Sequence, residues 1–230
     1  MDRNLGAMDI YCHVDDGRYG DLYYQFGRKD PLLSTRKTYV RQTDGLYSIK
    51  ELGIASYAAA GEDLNNVPYS IHHPEWKIQG SDAWTQNDKY NPNPWISSIR
   101  WQDPYVTTTE GKSMFDPCPT GWRIPEIEIW TGFNKKVDGK YSNTIYDNHG
   151  IYYYPIGINT NVSIYFPANG YNYFGYGGWN SSGNVYIISA NSNSTSGIWH
   201  AEFSPTVINV KASYGHTGRG SAYNVRCVQE

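Results

Sequence analysis

This chain has little charge and no long apolar run. Lys and Arg number 19 against 22 Asp and Glu, a net charge of −3. So even a balance gives no electrostatic grip on nucleic acid or on an anionic membrane. No apolar stretch reaches the length of a bilayer-crossing helix. Asp2 and Arg3 follow Met1 with no apolar segment behind them, so no export leader is legible. Cysteine is sparse at three, which leaves one thiol over if a disulfide forms. A Gly-x-Ser-x-Gly elbow, a His-Glu-x-x-His helix and a phosphate loop are all missing, and no enzyme class is indicated.

What the chain has instead is aromatic weight: 22 Tyr and 8 Trp in 230 residues. The load is uneven. From 143 to 230 the only charged residues are Asp147, Glu202, Lys211, Arg219, Arg226 and Glu230. Apolar residues there alternate at period two. Val162, Ile164 and Phe166 share one face. Trp199, Ala201 and Phe203 share another, with His200 and Glu202 opposite. Ile208, Val210 and Ala212 follow, then Tyr223, Val225 and Cys227. This pattern predicts antiparallel strands with one face on a core and one wet. Residues 32–115 hold 17 of the 41 charged residues and show little periodicity, and they read as long loops with a few short elements, wrapped on the same core. No internal repeat is visible, so 1–230 reads as one α+β domain of antiparallel sheets with few helices.

The densest local signal is Phe115-Asp116-Pro117-Cys118-Pro119-Thr120-Gly121-Trp122-Arg123-Ile124-Pro125. The prolines hold the segment extended, and Gly121 permits a turn. Pro125, followed by Glu126 and Glu128, suits a helix start. A helix is expected through about Phe133, burying Ile129, Trp130 and Phe133. Glu126 and Glu128 fit that helix start better than a catalytic carboxylate pair.

The same stretch carries a family resemblance. With Met1–Ala7, Leu22–Pro31, Phe166–Tyr171 and Tyr223–Val228, it resembles the Fibrobacter succinogenes major paralogous domain family of exported Bacteroidales proteins. The resemblance implies a C-type-lectin-like fold distantly related to the formylglycine-generating enzyme domain. It implies that the chain is the C-terminal part of a longer exported, cell-surface protein. It also implies a Cys118–Cys227 disulfide, since both lie in matching motifs, with Cys12 free. The oxidase chemistry of the enzyme relatives needs two neighbouring cysteines near the C-terminus, and Cys227 stands alone there. Calcium-dependent lectins carry Glu-Pro-Asn or Gln-Pro-Asp and a later Trp-Asn-Asp; here Trp179-Asn180 precedes Ser181.

Metal chemistry has weak footing. Asp9, Asp15 and Asp16 lack the alternation of a calcium loop. His72-His73-Pro74-Glu75 places adjacent imidazoles on different sides. No cofactor is expected. The expected function is ligand binding by an adhesin-like domain, at a fimbrial tip among pilus subunits, with a glycan or protein as ligand. A phage receptor-binding protein and a formylglycine-generating-enzyme-like oxidase are the alternatives. Neutral Asn, Tyr and Ser surfaces suit such recognition, and 171–219 is similar in composition to variable proteins of diversity-generating retroelements. The expected solvent-facing binding patch is Asn172, Tyr173, Tyr176, Asn180, Tyr186, His200, Glu202, Tyr214, His216 and Arg219. Trp179 is expected to be mostly core.

Overall fold

A computed structural model describes residues 1, 4–6, 22–33, 37–41, 43, 47–51, 53–56, 76–79, 112, 116–134, 136–137, 140–141, 143–147, 149–158, 160–172, 179–180, 184–192, 198–204, 208–212 and 220–230. Antiparallel sheet dominates them. The largest sheet has seven strands, in the order Trp179–Asn180, Tyr171–Asn172, Ala222–Tyr223, Leu22–Gln25, Leu32–Leu33, Lys37–Arg41 and Tyr47–Glu51. Strands from the beginning and end of the chain therefore lie side by side at its centre, with Tyr24 opposite Tyr223. One three-stranded sheet joins Thr144–Tyr146, Gly150–Tyr153 and Ile164–Pro167, and another joins Val185–Ser192, Ile198–Phe203 and Ile208–Ala212. Gly53–Ser56 and Trp76–Gln79 form a parallel pair. Several short strands thus fall inside 32–115, where the sequence predicted long loops with a few short elements, and three of them extend the main sheet.

The Val185–Ser192 sheet is walled on both faces. Val185, Ile187, Ala201 and Phe203 pack with Ile127, Trp130, Phe133, Ile151, Phe166 and Ala168. Tyr186, Ile188 and Ala190 point the other way, into Tyr24, Phe26, Ile124, Tyr223, Val225 and the two cysteines. Successive strand side chains alternate faces, so a run apolar at both parities serves two cores at once. This corrects the expectation of a wet face at His200 in Ile198–Phe203, while Glu202 on the same face is half-buried. The last strand region behaves the same way: Asn224 and Arg226 are as buried as Tyr223, Val225 and Cys227. Arg226 joins the cores: it donates to Asn4 Oδ1 at 3.0 Å and Tyr165 O at 2.7 Å, and its guanidinium lies 4.1 Å from the Phe166 ring centre.

The expected helix is present but wound more tightly. Ile127–Asn134 is a 3-10 helix of 8 residues. With three residues per turn, positions i, i+3 and i+6 share a face. Ile127, Trp130 and Phe133 are accordingly buried, whereas Ile129 is 48% exposed. The 3.6-residue stripe that placed Ile129 inside is corrected by that winding. Phe133 stacks on Phe203 with centroids 4.8 Å apart and on Tyr153 at 4.0 Å. Val162, expected inward with Ile164 and Phe166, precedes the strand and is exposed.

The Asp116–Pro125 segment is pinned from both sides. Asp116 accepts from the Cys118 N–H at 2.8 Å and the Ile124 N–H at 2.9 Å. Burial raises the Asp116 pKa, while these two bonds and the Lys112 charge oppose that rise. Lys112 Nζ donates to three carbonyl oxygens of the turn, those of Cys118, Pro119 and Trp122. Gly121 sits at φ 78°, in the left-handed region. Cys118 and Cys227 form a disulfide with Cα atoms 5.9 Å apart, tying this segment to the final strand. Glu126 pairs with Arg123 at 3.4 Å, and Glu128 is exposed.

Candidate functional site

The residues predicted to bind fall into three groups. Tyr173, Tyr176, Tyr214, His216 and Arg219 lie outside the described residues, as do Cys12, Asp9, Asp15, Asp16, His72, His73 and Glu75. Asn180 and Trp179 form a strand opposite Tyr171 and Asn172, and their side chains are likewise outside the description. Asn172, Tyr186, His200 and Glu202 are described, and the structure corrects the solvent-facing expectation for three of them.

Asn172 and His200 are each 1% exposed, and Tyr186 is 9% exposed. His200 is opposite Ile188 in the sheet register, so its ring enters the core that Ile188 faces. It stacks on Tyr223, centroids 5.3 Å apart and planes 21° apart, and lies 5.7 Å from Tyr186. Burial pulls its pKa from 6.5 down to about 3, so the imidazole is neutral. Among the described residues His200 Nδ1 has no hydrogen-bond partner. Burial also pushes the Tyr223 phenol well above its ordinary value.

Glu202 is half-buried and is the one member of this group that reaches solvent. It faces Tyr186 across the strand pair. Its Oε1 accepts from the Tyr186 hydroxyl at 3.0 Å and from Asn184 Nδ2 at 3.2 Å. Both donors fix the carboxylate through one oxygen, and Oε2 has no hydrogen-bond partner among the described residues. Tyr171 stands beside them. Its ring stacks on Tyr223 at 5.3 Å with planes 7° apart and lies 4.8 Å from Tyr186, while part of it stays in solvent.

The result is a tier. Tyr223 and His200 form a buried aromatic floor. Tyr186 and Tyr171 rest on it, and Glu202 with Asn184 forms the polar rim. The strands dictate this order, because Tyr186, Glu202 and His200 share one sheet face. The arrangement can offer a hydrogen-bond acceptor and a flat ring to a neutral or hydroxyl-rich partner. Sequence reasoning missed Tyr171 and Asn184. Asn184 lies two residues before Tyr186, whereas the approach of Tyr171 to Tyr186 is set by the fold.

Among the described residues no cluster of three His, Cys, Asp or Glu side chains is placed to hold a metal ion, and no helix is long and apolar enough to cross a membrane. Compared with protein-family models, with curated proteins and with solved structures, the chain matches none.

Proposed function

We propose that this chain is a ligand-binding domain of an exported, adhesin-like cell-surface protein, and that its ligand is a glycan. The observation that carries the reading is the Glu202 carboxylate. One oxygen is held by Tyr186 and Asn184, the other is left to accept, and the half-buried Tyr171 ring lies alongside. A sugar offers paired hydroxyl donors and an apolar ring face, and a fixed acceptor beside a tyrosine ring complements both. The held carboxylate loses little rotamer freedom on binding, which lowers the entropic cost of association.

Two features support export and a C-type-lectin-like arrangement. A disulfide belongs in an oxidising compartment, and Cys118–Cys227 joins two of the motifs that carry the family resemblance. The pairing of Leu22–Gln25 with Ala222–Tyr223 closes early chain against late chain.

The test is an array of neutral and acidic glycans probed with purified protein, followed by Glu202→Gln. Gln keeps the shape and an acceptor but removes the charge and alters the donor pattern. Binding of a neutral glycan that falls about tenfold in the variant, or roughly 1.4 kcal/mol, with unchanged melting temperature supports the reading. Absence of any glycan binding, or equal binding by the variant, defeats it.

A further inference from the structure

A lysine is costly to bury, because its ammonium gives up hydration that few protein groups replace. Lys77 is nevertheless 1% exposed, within the strand Trp76–Gln79. Its Nζ lies in contact with Oδ1 of Asn172, which is also 1% exposed. The two residues are 95 positions apart and belong to different sheets, Lys77 to the parallel pair and Asn172 to the seven-stranded sheet.

The surroundings favour the amine over the ammonium. Burial draws the Lys77 pKa from 10.5 to about 7, so a substantial share of Nζ carries a free electron pair near neutral pH. Asn172 shares its strand face with Ala222, its register partner, which is fully buried with Tyr23 and Leu32. An electrophilic carboxamide carbon is thereby held out of bulk water beside an amine nucleophile. Confinement of two such groups replaces a bimolecular encounter with an intramolecular one, the largest help geometry can give.

We propose that Lys77 and Asn172 join spontaneously in an amide cross-link. Nζ attacks Asn172 Cγ, and the bond from Cγ to Nδ2 breaks. One hydrogen of the neutral Nζ passes to the departing nitrogen, which leaves as ammonia. The new Nζ–Cγ bond replaces the old one, so no oxidant, reductant or outside reactant is required. The product staples the strand Trp76–Gln79 to the sheet that carries Tyr171 and Tyr223. It is a modification of the chain itself and goes beyond the binding reading.

The test is intact mass and peptide mapping of the purified full chain. The expected mass is one ammonia below the sequence mass, after allowing for the disulfide. After reduction and digestion, a peptide containing Lys77 should remain linked to one containing Asn172, with no cleavage after Lys77. Lys77→Arg keeps a cation but cannot form the bond, and Asn172→Ala removes the carbonyl; both should restore the full mass. Recovery of two separate peptides from folded, disulfide-bonded wild type overturns the proposal and leaves a simple hydrogen bond. Ammonia loss that persists in Lys77→Arg also overturns it, since that points to cyclisation of an asparagine instead. Should either variant fail to fold, the wild-type map decides alone.

Discussion

Tyr186 and Glu202 face each other across neighbouring antiparallel strands, and the tyrosine hydroxyl donates to Glu202 Oε1 at 3.0 Å. The bond sets where the carboxylate points, so removing it should loosen the rim without emptying the core. Tyr186→Phe keeps the ring and its contacts with Tyr171 and His200. It should cost about 1 kcal/mol of stability, the usual net value of one such bond, and weaken glycan binding by several-fold. Denaturant unfolding and a binding isotherm, run on the same preparation, check both. A stability loss like that of a core truncation would place the hydroxyl in the core's own support.

The Cys118–Cys227 disulfide should dominate the stability of the C-terminal region. Its cysteines are 109 positions apart, and in the chain-entropy account a loop of this size is worth about 4–5 kcal/mol. Paired Cys118→Ala and Cys227→Ala substitutions should lower the urea midpoint sharply, and added reductant should then do nothing further. A reductant effect that survives in the double variant would contradict this assignment.

The neutral His200 predicts acid sensitivity. In the unfolded chain it takes up a proton near pH 6.5, whereas the folded site resists protonation down to about pH 3. Between those values the unfolded state binds more protons, so stability falls as pH falls, by up to about 1.4 kcal/mol per pH unit from this residue. His200→Phe preserves a ring against Tyr223 and lacks the titrating group. Its unfolding free energy should be flatter from pH 6 to 4 than that of wild type. An unchanged slope would assign the acid sensitivity to other groups.

The winding of the Ile127–Asn134 helix gives a direct contrast. Ile127→Ala should cost about 2–5 kcal/mol, as for other buried large-to-small changes. Ile129→Ala should fall within about 0.5 kcal/mol of wild type, as surface changes do. Thermal or urea melts of the two variants measure this. Equal costs would mean a helix of ordinary pitch with Ile129 inside.

What the sequence made legible was mostly local. Gly121 adopts the left-handed turn, and Ile164–Pro167, Ile198–Phe203 and Ile208–Ala212 are strands where the alternation placed them. These features depend on neighbours a few residues apart. The facing of side chains was less legible, because alternation says which residues share a face and not what lies beyond it. His200 and Tyr186 look solvent-facing by parity, yet a second core covers their side. The unbroken apolar run Val185-Tyr186-Ile187-Ile188 was the available warning, since buried strands read that way. Lys77 was missed because its surroundings in sequence read as part of a long looped stretch, and only tertiary contact with Asn172 reveals its burial.

The doubly walled sheet also has a kinetic meaning. The Ile188 amide is bonded to Asn224 O and the Ala190 amide to Pro125 O, so this strand is fastened to separate segments as well as to its sheet partner. Solvent reaches those amides only if the Trp130–Phe203 side and the Tyr223–Cys227 side part together. Their deuterium uptake should therefore be among the slowest of the described residues and should track complete unfolding rather than any partial opening. A change on either side, in the aromatic floor or in the helix, would then be registered at the same few amides.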